Sequence, residues 1–435
     1  MRSRLFLRRL TATGGIYGAA VLGFLGTVVA FRLLGAEEFG RFALVVAVVG
    51  FVQVLVDLTV EEAAVKYGFR YIAAEDWGRL RRLFRIAYLF KGAGAAVGTV
   101  GVLVLAAVSE PVFGDDRLLV PLLLAALLPL VQMPEGLGAA ALVLRERYDL
   151  RGVFLALSMG LRLAGIAAGA AFGLVGVVMG LLVAQAVATV AISVAGLAAF
   201  RRFPARPAEA LGDDAPGFRR FVIQSSVGTG LVSGRTALAP ALLGVVATPL
   251  QVGFFRLAQA PQVAFASLSA PVRLILLTEQ TRDVERGRTD LLWRSLRRYG
   301  IGSALLMVVV VPPLLWLMPD LMRVVYGADA LAAVDAARLI LLAAAIQLVW
   351  GWSKSFPVSI GRPGLRIVAQ GVEIAVLVPL LVVFGLRWGA TGAAAAVLVS
   401  TVAFALVWAG LLVWLARQPG RIAGGPARPA ELAGP

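Results

Sequence analysis

Long apolar runs, cut by short polar joints, repeat along the whole chain. They lie near residues 11–34, 39–60, 86–108, 118–144, 152–172 and 176–199, and again near 221–247, 251–277, 299–318, 336–358, 367–386 and 390–416. A helix needs about 20 apolar residues to cross the hydrocarbon core of a bilayer. The pattern therefore predicts an all-α, polytopic membrane protein of 12 transmembrane helices. The first run is too long for a signal-peptide core and shows no obvious cleavage site, so it reads as a span. A polar stretch rich in Arg, Pro, Ala and Asp divides the runs six and six. The expected organisation is an N-terminal lobe at 1–200 (helices 1–6), a cytoplasmic linker at 201–220, a C-terminal lobe at 221–417 (helices 7–12) and a Gly/Pro/Ala-rich, disordered cytoplasmic tail at 418–435.

Composition sharpens this. The 435 residues are 60% hydrophobic and 15% charged, against about half and a quarter for soluble domains. Soluble, fibrous and disordered classes are excluded. The chain has no Cys and no His. That removes disulfides, thiolate and imidazole metal sites, Ser–His and Cys–His catalysis, and histidine pH switches. No metal site, cofactor or catalytic motif is expected. A phosphate loop of the G-x-x-x-x-G-K-[ST] type is ruled out as well, since Val65, Phe90 and Ser353 precede the three lysines.

The net charge of +16 raises nucleic acid as a partner. Its distribution answers the question. With twelve spans both termini share one side, and the connections on that side carry 31 of the 41 basic residues. The opposite connections carry Arg32, Arg41, Arg117, Arg323, Arg338 and Arg387. This is the positive-inside pattern, so both termini are expected in the cytoplasm and nucleic acid is not a partner. Arg32 and Arg41, beside Glu37 and Glu38, read as interface anchors and local ion pairs.

The chain also repeats itself at an offset of 213. Gly40 and Phe42 meet Gly253 and Phe255. The run Val112–Asp116 meets Val325–Asp329, and Gly176 meets Gly389. With a small drift, Arg147, Leu150 and Arg151 meet Arg362, Leu365 and Arg366. The reading is two six-helix lobes related by a parallel internal repeat, with a substrate site expected between them near the midplane.

Polar groups inside spans are costly and point to function. In span 8, Arg256, Gln259, Gln262, Ser269 and Arg273 fall within an arc of about 140° if the helix is continuous. Such a face belongs in a hydrated cavity or pairs with a neighbouring helix. Arg235 in span 7 and Arg162 in span 5 are further candidates. Arginine suits phosphate recognition through its fork of donors. The acids Asp57, Glu135 and Glu373 are either coupling-ion sites or counter-ions of these arginines.

Residues 33–45, LLGAEEFGRFALV, resemble the R-x-L-G-x-x-x-F-G junction between the first two helices of bacterial polysaccharide flippases, with Arg32 just ahead of Leu-Leu-Gly. VGFFRLAQ at 252–259 resembles the stretch that enters helix 8 in that family, and VYGADALAA at 325–333 the one before helix 10. These flippases belong to the multidrug/oligosaccharidyl-lipid/polysaccharide exporter superfamily. The resemblance implies two lobes around a V-shaped cavity. It implies transfer of a lipid-diphosphate-linked oligosaccharide between leaflets for lipopolysaccharide or other surface polysaccharide. It places the diphosphate on cavity arginines, Arg256 foremost, then Arg235 and Arg162. It also implies membrane lipids as surroundings, the bacterial inner membrane as location, and polysaccharide polymerases and glycosyltransferases as further partners.

The expected function is thus a non-enzymatic flippase working by alternating access. The rivals are a cation-coupled multidrug exporter of the same superfamily, a lipid II flippase, whose relatives commonly carry extra helices, and a membrane-bound polysaccharide polymerase, which generally needs a larger extramembrane loop than this sequence offers.

Overall fold

The structure is a computed structural model that describes residues 2–56, 59–285, 288–360, 362 and 364–417. Among the described residues every regular element is a helix. In chain order they are α1 (Arg2–Val56), α2 (Val60–Ala73), α3 (Trp77–Ala107), α4 (Ser109–Phe113), α5 (Leu119–Ala125), α6 (Leu128–Gln132), α7 (Glu135–Leu144), α8 (Tyr148–Gly169), α9 (Gly173–Phe200), α10 (Asp214–Val246), α11 (Pro249–Ala258), α12 (Ala260–Glu285), α13 (Thr289–Val325), α14 (Val334–Val349), α15 (Phe356–Ser359) and α16 (Gly364–Ala416).

Three apolar helical stretches are far longer than one crossing requires: Thr13–Val56 with 44 residues, and Tyr148–Phe200 and Gly364–Ala416 with 53 each. Each is a helical hairpin. The chain turns at Gly35 (φ 75°), Gly173 (φ 68°) and Gly389 (φ 55°), where a left-handed backbone favours the residue without a Cβ. Four more apolar stretches, Trp77–Ala107, Asp116–Leu144, Asp290–Val325 and Ala328–Val349, cross once each. With α10 and the α11–α12 pair the count is twelve, so this is a polytopic, all-helical membrane protein. Gly114 (φ 67°) and Gly327 (φ 109°), 213 positions apart, each follow a helix end at positive φ.

The chain forms two compact units, Met1–Gly253 and Phe254–Pro435. The 201–220 stretch behaves differently from a free linker. Phe203 and Leu211 are buried. The Phe203 ring stacks on Trp77 at 5.6 Å and lies under the Arg145 guanidinium at 4.8 Å. Helix α10 already begins at Asp214 and packs into the first unit, with Phe218 and Val222 in the same core as Tyr67, Leu83 and Leu137. The tail at 418–435 lies outside the described residues.

Helix α2 occupies part of a joint expected to be a loop. It is amphipathic rather than uniformly apolar, and its apolar face is buried among α3, α7 and α10. Tyr67 meets Phe218 at 5.8 Å and Phe221 at 6.4 Å. The Lys66 ammonium sits 4.1 Å from the centre of the Phe221 ring. Asp214, in the first turn of α10, accepts from Arg70 at 2.8 Å and from the Tyr71 hydroxyl at 3.0 Å. Burial, and then the bond to this carboxylate, push the Tyr71 hydroxyl above its ordinary range, so it stays a proton donor. At the other end of the contact Ser225 donates to Glu62. There the Thr59 N–H reaches the Ser226 hydroxyl at 3.0 Å, and the two hydroxyls lie 3.3 Å apart.

Glycine governs the crossing of α8 and α9. Helices α8 and α9 meet through Gly165 against Gly180 and Gly169 against Gly176, two reciprocal G-x-x-x-G pairs. A Cβ added at Gly180 would fall 2.0 Å from the Gly165 carbonyl oxygen, and one at Gly169 would fall 2.2 Å from that of Gly176. Helices in lipid gain little from apolar burial against each other, so backbone approach of this kind supplies much of their packing. Near the Gly35 turn, Arg41 uses all three guanidinium nitrogens, on Asp115 (2.7 Å), Glu38 (2.6 Å) and Glu37 (2.7 Å). This is the local pairing expected of it, with Asp115 as an added partner.

Two spans are less regular than their apolar runs suggest. Span 4 is split into α5, α6 and α7, because Pro129 and Pro134 each remove a backbone donor. The carbonyl of Ala126, freed at the first break, accepts from the Thr99 hydroxyl at 2.8 Å. Span 8 is split at Gln259, between α11 and α12, by Pro261.

Candidate functional site

A one-residue break at Gln259 divides span 8, along which a continuous polar stripe is expected. Pro261 has no N–H to give the Leu257 carbonyl, and its ring crowds that turn. The Gln259 N–H instead closes the end of α11, on Phe255 at 3.2 Å and Arg256 at 3.3 Å. Arg256 ends α11. Its side chain has accessible surface. Its Nη1 donates to the Gln259 side-chain oxygen at 3.1 Å. Among the described residues no carboxylate forms an ion pair with it.

Gln262, one turn into α12, follows a different line. Its amide donates to Gln347 of α14 at 3.0 Å, and Gln347 in turn donates to Thr401 of α16 at 3.2 Å. This relay ties three helices together inside the second unit. Ser269 returns its hydroxyl to its own helix, on the Ala266 carbonyl at 3.1 Å. Glu373 and Gln370 are buried in α16. The side chains of Arg235 and Arg273, and residue Asp57 altogether, lie outside the described residues.

Arg162 and Glu135 belong to the first unit. A cavity of about 670 Å³ opens there among α1, α2, α3 and α6–α9, lined by Glu61, Lys91, Gln132, Glu135, Arg151 and Ser158 among others. The breaks in span 4 position its acid. Pro134 starts a new helix in mid-span, so Glu135 falls in the first turn of α7, where the helix dipole favours negative charge. Gln185 of α9 donates to Glu135 at 2.7 Å and also contacts Thr189 at 3.1 Å. The charge of Arg162 acts on the same carboxylate. Across the cavity the Lys91 ammonium lies 3.0 Å from Glu61, and Gln53 donates to Gln132 at 2.8 Å. Carboxylates beside amides, a lysine and arginines can take up and release a proton or a small cation. Among the described residues no group of three His, Cys, Asp or Glu is placed to hold a metal.

Gln185, Thr189, Gln347 and Thr401 were not foreseen as site residues. Each is a short neutral polar group within a long apolar run, a signal much weaker than a charge. Lys91 was foreshadowed only by scarcity, being one of three lysines and set between Phe90 and Gly92.

The sequence profile of the polysaccharide biosynthesis protein family matches residues 10–272, more than half of the chain. The chain belongs to that family. A comparison with curated protein sequences finds no match. Among solved structures this polysaccharide biosynthesis protein is similar to a lipid II flippase MurJ in an inward closed conformation, with a TM-score of 0.70, 12% identity, and coverage of 93% of this chain and 87% of that one. It is similar to an inward-facing multidrug resistance MATE family transporter of the MOP superfamily, with a TM-score of 0.63, 12% identity, and coverage of 94% and 96%. It is also similar to a MOP superfamily transporter from Pyrococcus furiosus described by the reverse polarity of its binding pocket, with a TM-score of 0.58, 11% identity, and coverage of 95% and 97%. At these identities the likeness shows a shared fold. The family member described here is thus a multi-pass membrane protein with the fold of MOP superfamily transporters.

Proposed function

We propose that this protein flips a lipid-diphosphate-linked oligosaccharide across the bacterial inner membrane for surface polysaccharide synthesis, by alternating access. One observation carries the reading: within an apolar helix of a polysaccharide biosynthesis family member, Arg256 keeps accessible surface and a neutral hydrogen-bond partner. An arginine locked to a buried carboxylate would be spent on structure. An arginine held only by an amide keeps its charge for an anion. The transport problem calls for such a group. An unpaired ion in hydrocarbon costs tens of kcal/mol in the idealised limit, and a wet cationic cavity lowers that barrier while the isoprenoid tail stays in lipid. In this reading Arg256 is the principal diphosphate ligand, with Arg162, Arg235, Arg273, Gln259 and Gln262 as further cavity groups.

The acidic cavity of the first unit supports a second element of the same reading. Glu135 is the group to exchange a coupling proton or cation, with Glu373 and Asp57 as the other acids to examine. Drug export driven by a cation would use a similar acid, so the experiment must separate the two activities. The protein is reconstituted into liposomes holding a fluorescent polyprenyl-diphosphate oligosaccharide, and probe reaching the outer leaflet is quenched by an impermeant reductant. Protein-dependent loss of fluorescence beyond one leaflet is the expected result. Cation-driven efflux of a lipophilic dye, with no movement of the lipid probe, would replace the flippase by an exporter.

A further inference from the structure

Near the start of α13 three arginines lie on one face: Arg294, Arg297 and Arg298, all exposed. They line a groove of about 1170 Å³ formed with the C-terminal part of α12. Arg294 is held by Asp290 at 2.5 Å. Among the described residues neither Arg297 nor Arg298 forms an ion pair. On the facing wall Asp283 is engaged by Arg288 at 3.9 Å, which leaves Glu279 as the acid opposite the two arginines. Above the charges the groove turns apolar at Leu276 and Ile301. The same face of α13 then continues through Ile301, Leu305 and Val308, all exposed, and reaches exposed Trp316. From Arg294 to Trp316 is about 33 Å at the helical rise of about 1.5 Å per residue, close to the hydrocarbon thickness of about 30 Å. Arginines at one interface, bare aliphatic side chains between, and a tryptophan at the other define a face that looks at lipid.

We propose that the groove between α12 and α13 is a binding site for an anionic phospholipid, with its phosphate on Arg297 and Arg298 and an acyl chain along Ile301, Leu305 and Val308. A soluble anion would use the arginines and leave the apolar face bare. A neutral phospholipid would use the apolar face and gain little from the two guanidinium groups. Only a ligand with both parts uses both, and basic clusters at the cytoplasmic end of membrane helices attract anionic headgroups. The inference rests on the membrane face of α13 and not on the transported substrate.

The test is native mass spectrometry of the full-length protein released from mixed micelles of phosphatidylglycerol and phosphatidylcholine. Wild type should retain phosphatidylglycerol in preference to phosphatidylcholine. Arg297→Gln/Arg298→Gln should lower that retention about fivefold or more, with phosphatidylcholine retention and thermal stability unchanged. Glu279→Gln should raise it. Millimolar inorganic phosphate should not displace the lipid. Equal retention of the two lipids by wild type, or undiminished phosphatidylglycerol on the folded double variant, overturns the site. Displacement by polyprenyl diphosphate, with loss of that binding in the same variant, also overturns it, by assigning the groove to the transported lipid. If the double variant unfolds, Ile301→Asp, which charges the acyl-chain path and leaves both arginines, is measured in its place under the same criterion.

Discussion

Arg256→Ala lowers export of surface polysaccharide more than tenfold while leaving the amount of protein in the membrane unchanged. The expected size follows from the donors removed. A guanidinium fork offers a diphosphate two charge-assisted hydrogen bonds, each contributing about 1.5–3 kcal/mol, and about 1.4 kcal/mol corresponds to a factor of ten in rate. Folding is spared because the partner left behind, Gln259, is neutral and sits at a helix break. Its amide loses one hydrogen bond and strands no charge. Arg256→Lys should recover only part of the export, since an ammonium lacks the planar fork. Membrane abundance and exported polysaccharide are measured together for both variants. Normal export at normal abundance removes Arg256 from the substrate path. Low abundance that accounts for the whole loss makes it a structural residue.

Gly180→Ala has the opposite signature: less protein and a lower melting temperature, with each surviving molecule still active. The added methyl would stand 2.0 Å from the Gly165 carbonyl oxygen, and both partners in that contact are backbone. No side chain can swing aside, so α8 and α9 must separate, and Gly169 and Gly176 one turn further on lose their contact too. Overpacking typically costs about 1–3 kcal/mol. Here the cost falls at the upper end, because close approach is what holds helices together in lipid. Gly410→Ala is the control, since nothing lies within 4 Å of a Cβ there. In that exposed helix alanine should be neutral or stabilising, by up to about 1 kcal/mol. A thermal unfolding series in detergent compares the three proteins. Equal melting temperatures for Gly180→Ala and wild type would show that the crossing relaxes freely.

The spans were legible because lipid solvation imposes a length and a polarity that single residues cannot hide. The hairpin turns at Gly35, Gly173 and Gly389 were legible as joints between runs, though not as left-handed glycines. The site was less so. Arg256 and Glu135 stood out because charge in an apolar run is costly wherever it occurs. The angular argument gathers Arg256, Gln259, Gln262 and Ser269 onto one face, but it does not say what each side chain bonds. The structure sends Gln262 to Gln347 and Thr401 and folds Ser269 back on its own helix. Gln185 could not be found from pattern at all. Its role depends on α9 lying beside the mid-span start of α7, a long-range fact. Helix α2 is hidden for another reason: its surface is polar on one side, so it reads as a loop until α3, α7 and α10 are known to cover the other.

The contact between Thr59 and Ser226 gives the experimenter a switch. Two hydroxyl oxygens 3.3 Å apart occupy the places where two sulfur atoms, exchanged for them, would be within reach of a bond of about 2.05 Å. The chain contains no cysteine of its own, so Thr59→Cys/Ser226→Cys would carry a single oxidisable pair. Oxidation would then clamp the α2 joint to α10, and a reductant would release it. Transport measured before and after oxidation in one sample would then show whether turnover needs this contact to open.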